Sequence, residues 1–204
     1  MTERDARERI CEVSKDLWDR GLIGAAEGNV TCRLDDGRVL ATPTGAIKGK
    51  LSAQDIACVS LDGECLGPEC PSSEIKMHLS IYHHTPARAV VHAHPPAATA
   101  FALAGKTIPS RTLPEADMVL GEVALAPFEI PGTADMGEAL VPFLPRSAVI
   151  LLGSHGAVAI AKSLTEAYIR METLERVART FLLADRLGGA QKLPEKGVRW
   201  LSDF

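Results

Sequence analysis

The segment VVHAHPP places His92 and His94 two residues apart inside an apolar run. On a strand, side chains at i and i+2 leave the same face, so both imidazoles can converge on one ion. Catalytic zinc commonly takes three protein ligands and keeps a position open for substrate, so a third ligand is sought. His78, His83 and His84 fall on a predicted helix, where a solvated or structural histidine is the simpler reading. His155 lies in the turn Gly153-Ser154-His155-Gly156 between two apolar runs, where an imidazole has no evident packing purpose. Spacing alone leaves a metal pair and a structural pair both open. It does not decide which divalent ion three histidines would hold.

Glu74 stands at the start of a predicted helix, where a carboxylate complements the helix dipole; simple capping is the first explanation. The functional one is a general acid/base beside the metal. Three polar turns offer an anion site: Gly28-Asn29 before a strand, Thr44-Gly45 after the next one, and Ser72-Ser73 at the helix N-terminus. Free backbone N–H groups, small hydroxyls and a helix dipole suit a phosphate, although the same residues also simply make turns.

The elements that must position these groups follow from periodicity. Ile10, Val13 and Leu17 mark a helix from about Thr2 to Arg20. Val30, Cys32 and Leu34 alternate with Asn29, Thr31 and Arg33, which predicts a half-buried strand. Asp35-Asp36-Gly37 turns it into a second strand over Arg38 to Thr42, and Ile56 to Leu61 reads as a third. A helix follows to about His84, then a strand from Arg88 to His94 closed by Pro95-Pro96 and a short Ala-rich helix up to Gly105. Thr107 to Pro145 is rich in Pro and Gly, with strand-like pieces such as Val123 to Ala126. Ala148 to Leu152 and Ala157 to Ala161 are strand-like, and the capping box Ser163–Glu166 opens a helix ending near Leu187. Hairpins inside and helices at both ends predict a layered α/β domain with a largely antiparallel sheet, not a doubly wound parallel one.

Composition narrows the field. A chain of 204 residues with 46% apolar and 24% charged residues is an ordinary globular composition, without repeats or linkers, and is read as one domain over residues 1–204. A net charge of −4 argues against nucleic-acid or anionic-membrane partners. The charged N-terminus lacks an apolar signal core and no stretch is long and apolar enough to span a bilayer, so a cytoplasmic protein is expected. Cys11, Cys32, Cys58, Cys65 and Cys70 form no C-x-x-C pair and are expected to be free, buried thiols.

Together, GNVTCRL, ATPTGAIKGKL, PSSEIKMH, VVHAHP and LLGSHGAVAIAKSLTEAYIRMETLE, in that order from about Gly24 to Arg179, resemble the class II aldolase/adducin family, most closely its L-fuculose-phosphate aldolase branch. The resemblance implies a three-layer α/β/α domain with a central, mostly antiparallel sheet. It implies one Zn2+ per subunit, or another divalent ion, on His92, His94 and His155. It implies Glu74 as the catalytic acid/base and a phosphate pocket of Gly28, Asn29, Thr44, Gly45, Ser72 and Ser73. It also implies a homotetramer with active sites at subunit interfaces.

One difference from that branch stands out. Its members carry a tyrosine a few residues after an Ile-Pro pair, whereas here Ile108-Pro109 leads into Ser110, Arg111, Thr112 and Leu113. Tyr82 and Tyr168 lie elsewhere, the tail VRWLSDF has no tyrosine, and Glu115 is the nearest proton-handling group. The implied activity is reversible cleavage of a ketose 1-phosphate, such as L-fuculose 1-phosphate, to dihydroxyacetone phosphate and an aldehyde such as lactaldehyde. The alternatives are a 4-epimerase or a methylthioribulose-phosphate dehydratase on the same zinc site, and a non-catalytic adducin-like module. A lysine Schiff base is disfavoured because Lys48, Lys50, Lys76, Lys106 and Lys162 sit in polar surroundings that predict solvated surface.

Overall fold

The computed structural model describes residues 2–202. Its centre is a seven-stranded sheet built from β1 (Asn29–Arg33), β2 (Val39–Ala41), β3 (Ala57–Val59), β4 (Ala89–Ala93), β5 (Val123–Ala126), β6 (Val149–Leu152) and β7 (Gly156–Ala161). The order is β3-β2-β1-β4-β7-β6-β5, so the histidine strand β4 is central. Every pairing is antiparallel except β5 with β6, as a largely antiparallel sheet requires.

Helices cover both faces. On one side lie α1 (Glu3–Asp19), α3 (Pro96–Leu103), α4 (Pro114–Leu120) and the long α6 (Leu164–Asp185). Ile10, Leu17, Val91, Ala159, Met171 and Leu174 fill the space between them and the sheet. On the other side α2 (Ile75–His84) and α5 (Ala134–Glu138) pack together, and Met77, Ile81 and Leu140 meet Val90, Ile150 and Val158. The three-layer α/β/α architecture is therefore present.

Capping sets the first helix boundaries: Thr2 Oγ1 accepts from Asp5 N and the Asp5 carboxylate returns the bond to Thr2 N. Three helices differ from expectation. α4 and α5 lie inside the Pro- and Gly-rich stretch, at seven and five residues too short for a helical period to show. The third, α7 (Glu195–Ser202), forms in the tail. The cysteines are free, but only Cys32 and Cys58 are buried, while Cys65 and Cys70 are exposed on the loop after β3. No helix among the described residues is long and apolar enough to cross a membrane.

Two further corrections bear on the site. β1 is not half-buried: α2 covers its polar face, and Asn29 and Thr31 are 4% and 1% exposed. Lys48 is not solvated surface either, at 2% exposure. Its ammonium donates to Ala46 O at 2.9 Å and Ala26 O at 3.3 Å, tying together the two loops that carry Gly28 and Thr44-Gly45. Burial lowers its pKa.

Candidate metal centre

The histidines come together by three different local devices. Alternation along β4 sends Ala89, Val91 and Ala93 to the α6 face, leaving Val90 and His92 to the α2 face. Just past the strand, His94 N donates to Leu22 O at 3.0 Å. His155 is held in the β6–β7 turn by its N–H on Leu152 O (3.0 Å), beside Ser154 in the left-handed region at φ 53°. Two glycines permit the close packing. A Cβ on Gly156 would lie 2.5 Å from Ala93 O and 2.7 Å from the His94 ring. At Gly28 it would lie 2.8 Å from His92 O, and that residue also takes φ +66°.

The result is a nearly equilateral triangle of imidazoles with ring centroids 4.7 to 4.9 Å apart. One ring nitrogen of each lies within 4.8 Å of the others. His92 Nδ1 faces Ala157 O at 3.0 Å, an acceptor, so Nδ1 carries the hydrogen and Nε2 presents its lone pair. That Nε2 is 3.1 Å from His94 Nε2 and 3.3 Å from Glu74 Oε2. Glu74 Oε1 is 3.3 Å from His155 Nε2. So many electron-rich atoms on one point fit a proton or a cation between them, and a ligand set of three neutral imidazoles suits a divalent ion. Burial and the neighbouring His92 push His155 down to about 4, keeping its imidazole neutral at physiological pH. Burial and His92 lower His94 as well.

Glu74 does not cap its helix: it occupies the N-cap position of α2 but its side chain makes no capping bond, reaching the histidines instead. Burial pushes its carboxyl up, but His92, His155 and the Asn29 amide outweigh this and hold it well below the usual carboxylate range. Asn29 Nδ2 donates to Glu74 Oε2 at 2.8 Å and to Ser72 Oγ at 3.3 Å. The antiparallel register sets Asn29 directly opposite His92.

Of the expected phosphate residues, Asn29 and Ser72 gather beside Glu74 through these contacts, and Gly28 precedes Asn29 against the His92 carbonyl. Thr44 joins them because residues 42–44 pair with 70–72, through Thr44 N on Cys70 O and Ser72 N on Thr42 O, both 3.1 Å. Thr44, Gly45 and Ser73 are exposed at this rim. Glu115 is elsewhere, exposed on α4 at the opposite face.

His78 is the structural rather than the solvated histidine of the two readings, and its link through Thr31 and Asn29 to the site was not foreseen. His78 is fully buried, with Nδ1 on Thr31 Oγ1 at 2.8 Å and Nε2 on Asn29 Oδ1. The available signal was its i+4 spacing from Glu74, which puts both on one helix face.

A family profile described as Class II Aldolase and Adducin N-terminal domain matches residues 8–182. The chain belongs to the class II aldolase/adducin family. A 3-oxo-tetronate 4-phosphate decarboxylase of Pectobacterium atrosepticum is 37% identical over 191 residues, covering 91% of this chain and 88% of that protein. An L-fuculose phosphate aldolase of Methanococcus maripaludis is 36% identical, covering 88% and 96%. The crystal structure of YgbL from Klebsiella pneumoniae superposes with a TM-score of 0.90 at 36% identity, covering 98% and 99%. With such relatives, the chain stands among the metal-dependent enzymes of the family.

Proposed function

We propose that this protein is a metal-dependent carbon–carbon lyase that decarboxylates a phosphorylated 3-oxo acid, with 3-oxo-tetronate 4-phosphate as the leading substrate. The observation that carries this reading is that no tyrosine is free to serve the site. The chain has two: Tyr82 is 2% exposed with its hydroxyl on Thr31, and Tyr168 packs on α6 against the opposite core. Aldol cleavage needs one group to take a proton from the hydroxyl beside the breaking bond and another to protonate the new carbanion. Decarboxylation needs only the second, because the departing carbon leaves as CO2 without an O–H to deprotonate. One carboxylate, Glu74, beside three histidines suits the simpler requirement. The decarboxylase relatives support the same choice.

In this reading the C1–C2 bond breaks, its electron pair forms the C2–C3 double bond, and the C3 carbonyl becomes an enolate oxygen. Zinc, or another divalent ion on His92, His94 and His155, would supply Lewis-acid stabilisation of the charge developing on that oxygen. Glu74, ionised at rest, takes a proton from solvent and passes it to C2, giving dihydroxyacetone phosphate and leaving the carboxylate as it began. Gly28, Asn29, Thr44, Gly45, Ser72 and Ser73 bind the phosphate and orient the C1–C2 bond. A homotetramer with sites between subunits accompanies the reading. Exposed Phe128 and Ile130 on the loop beside Ser73 and Gly153 support it.

Cleavage of L-fuculose 1-phosphate is the second reading, favoured by the aldolase relatives and by the shared dihydroxyacetone phosphate enediolate. Both substrates yield dihydroxyacetone phosphate, so CO2 release discriminates. Chelator-sensitive CO2 from the keto acid above the uncatalysed background is expected. Dihydroxyacetone phosphate from the ketose, with no catalysed CO2 from the keto acid, would replace decarboxylation by aldol cleavage.

A further inference from the structure

Behind Glu74 runs a line of buried side chains of which the mechanism above uses only Asn29. Tyr82 Oη lies 2.8 Å from Thr31 Oγ1, which lies 2.8 Å from His78 Nδ1. His78 Nε2 meets Asn29 Oδ1, and Asn29 Nδ2 reaches Glu74 Oε2 at 2.8 Å. Tyr82, Thr31, His78 and Asn29 are all at most 4% exposed.

The chemistry of the groups sets the direction of every bond in this line. Asn29 Nδ2 lies 2.8 Å from Glu74 Oε2 and 3.3 Å from Ser72 Oγ, so the amide turns its NH2 to Glu74 and its oxygen to His78. That oxygen only accepts, so His78 carries its hydrogen on Nε2. Burial pushes His78 down to about 3, so the ring is neutral and Nδ1 is bare. Thr31 therefore donates to Nδ1, and Tyr82 donates to Thr31. The line has one polarity from Tyr82 to Glu74 and ends at a phenol sealed from solvent, so it does not conduct protons. What it does is fix an orientation.

The two oxygens of Glu74 are thereby made unequal. Oε2 accepts from Asn29 at 2.8 Å, whereas Oε1 has no such tether and faces only the His155 ring, 3.3 Å from its Nε2. We propose that His78 is a positioning residue that, backed by Thr31 and Tyr82, locks the Asn29 amide so that Glu74 Oε2 is held and Oε1 is the oxygen that exchanges the proton. This rests on the reading of Glu74 as the acid/base; the donor order in the line does not.

Two measurements test it. Long-range 1H–15N correlation spectra of the metal-loaded protein are expected to show His78 as the neutral Nε2–H tautomer from pH 5.5 to 8.5. They are also expected to show a shifted, exchange-protected Asn29 side-chain amide. An Nδ1–H tautomer or a protonated His78 overturns the proposal even if no substrate has been found. In turnover, kcat is expected to fall about tenfold or more in His78→Leu, less in Thr31→Val and least in Tyr82→Phe. KM and metal content should stay within about threefold of the unaltered protein. His78→Gln, which can keep a donor near the Nε2 position, is expected to restore most of kcat. Equal kcat in folded, metal-loaded Thr31→Val and in the unaltered protein would reduce the line to packing. So would a failure of His78→Gln to exceed His78→Leu. If the tautomer is as expected but Glu74→Gln is fully active, the acid/base assignment fails and the donor order survives.

Discussion

The two faces of the central sheet are built from the same strands to opposite specifications. Toward α6, β4 presents Ala89, Val91 and Ala93 to a layer of aliphatic side chains. Toward α2, the same strand adds Val90 to a second apolar cluster but also presents His92, and its neighbour β1 presents Asn29 and Thr31. The first face gains from burying apolar area and requires only complementary shape. The second buries polar groups that cost free energy unless each finds a partner, so it is tied bond by bond. Both faces bury apolar side chains, but only the α2 face adds the polar groups that carry chemistry, and substitutions should separate the two roles.

The largest separation is expected at Glu74. Glu74→Gln should retain metal and fold while turnover drops by about 10²–10⁴, the range typical of a lost general acid/base. Metal analysis beside steady-state rates on the keto acid checks it, and a near-normal rate would remove Glu74 from the mechanism. The mirror experiment is on the other face: Leu174, fully buried on α6. Leu174→Ala should lower unfolding free energy by about 2–5 kcal/mol with turnover per folded molecule little changed. A large loss of turnover at full occupancy of the native state would erase the division.

Acid should act through the polar face. His78 sits near the ordinary histidine value of 6.5 when unfolded but at about 3 when folded, so below 6.5 the unfolded chain binds a proton that the native state refuses. Stability should therefore be full above about pH 6.5 and fall as pH drops toward 3, at up to about 1.4 kcal/mol per pH unit for this group. Urea midpoints across that window should show the slope, and His78→Gln should flatten it. The smallest effect is expected at Lys48. Lys48→Met preserves the stem's packing but releases two loop carbonyls, so KM for the phosphorylated substrate should rise several-fold while kcat changes little. An unchanged KM would uncouple the loop tie from phosphate binding.

Sequence patterns served the two faces unequally. The apolar face was legible throughout, because period 2 on the strands and the spacing of Ile10, Val13 and Leu17 report burial directly. Spacing made His92 and His94 candidates and the glycine-flanked turn made His155 one, but the full set of three rested on the resemblance to the family. On the polar face the same logic misled. Asn29, Thr31 and Arg33 alternate as a solvated edge would, and periodicity cannot distinguish water from a buried partner such as His78. Lys48 was missed for a related reason: its partners are two carbonyls, which leave no trace in residue types. The tautomers and donor directions became readable only once the partners were placed.

Glu175 on α6 has a 3% exposed carboxylate that accepts from Ala97 N at 2.9 Å and Ala98 N at 3.1 Å, the first amides available after Pro95-Pro96. The exit from the histidine strand is thus bolted to the longest helix from behind. Local fraying there would have to break a buried charge from two amides as well as open the hydrophobic layer. The metal end of β4 should then belong to the last cooperative unit to open, so heat or denaturant would extinguish the site only when the whole sheet melts.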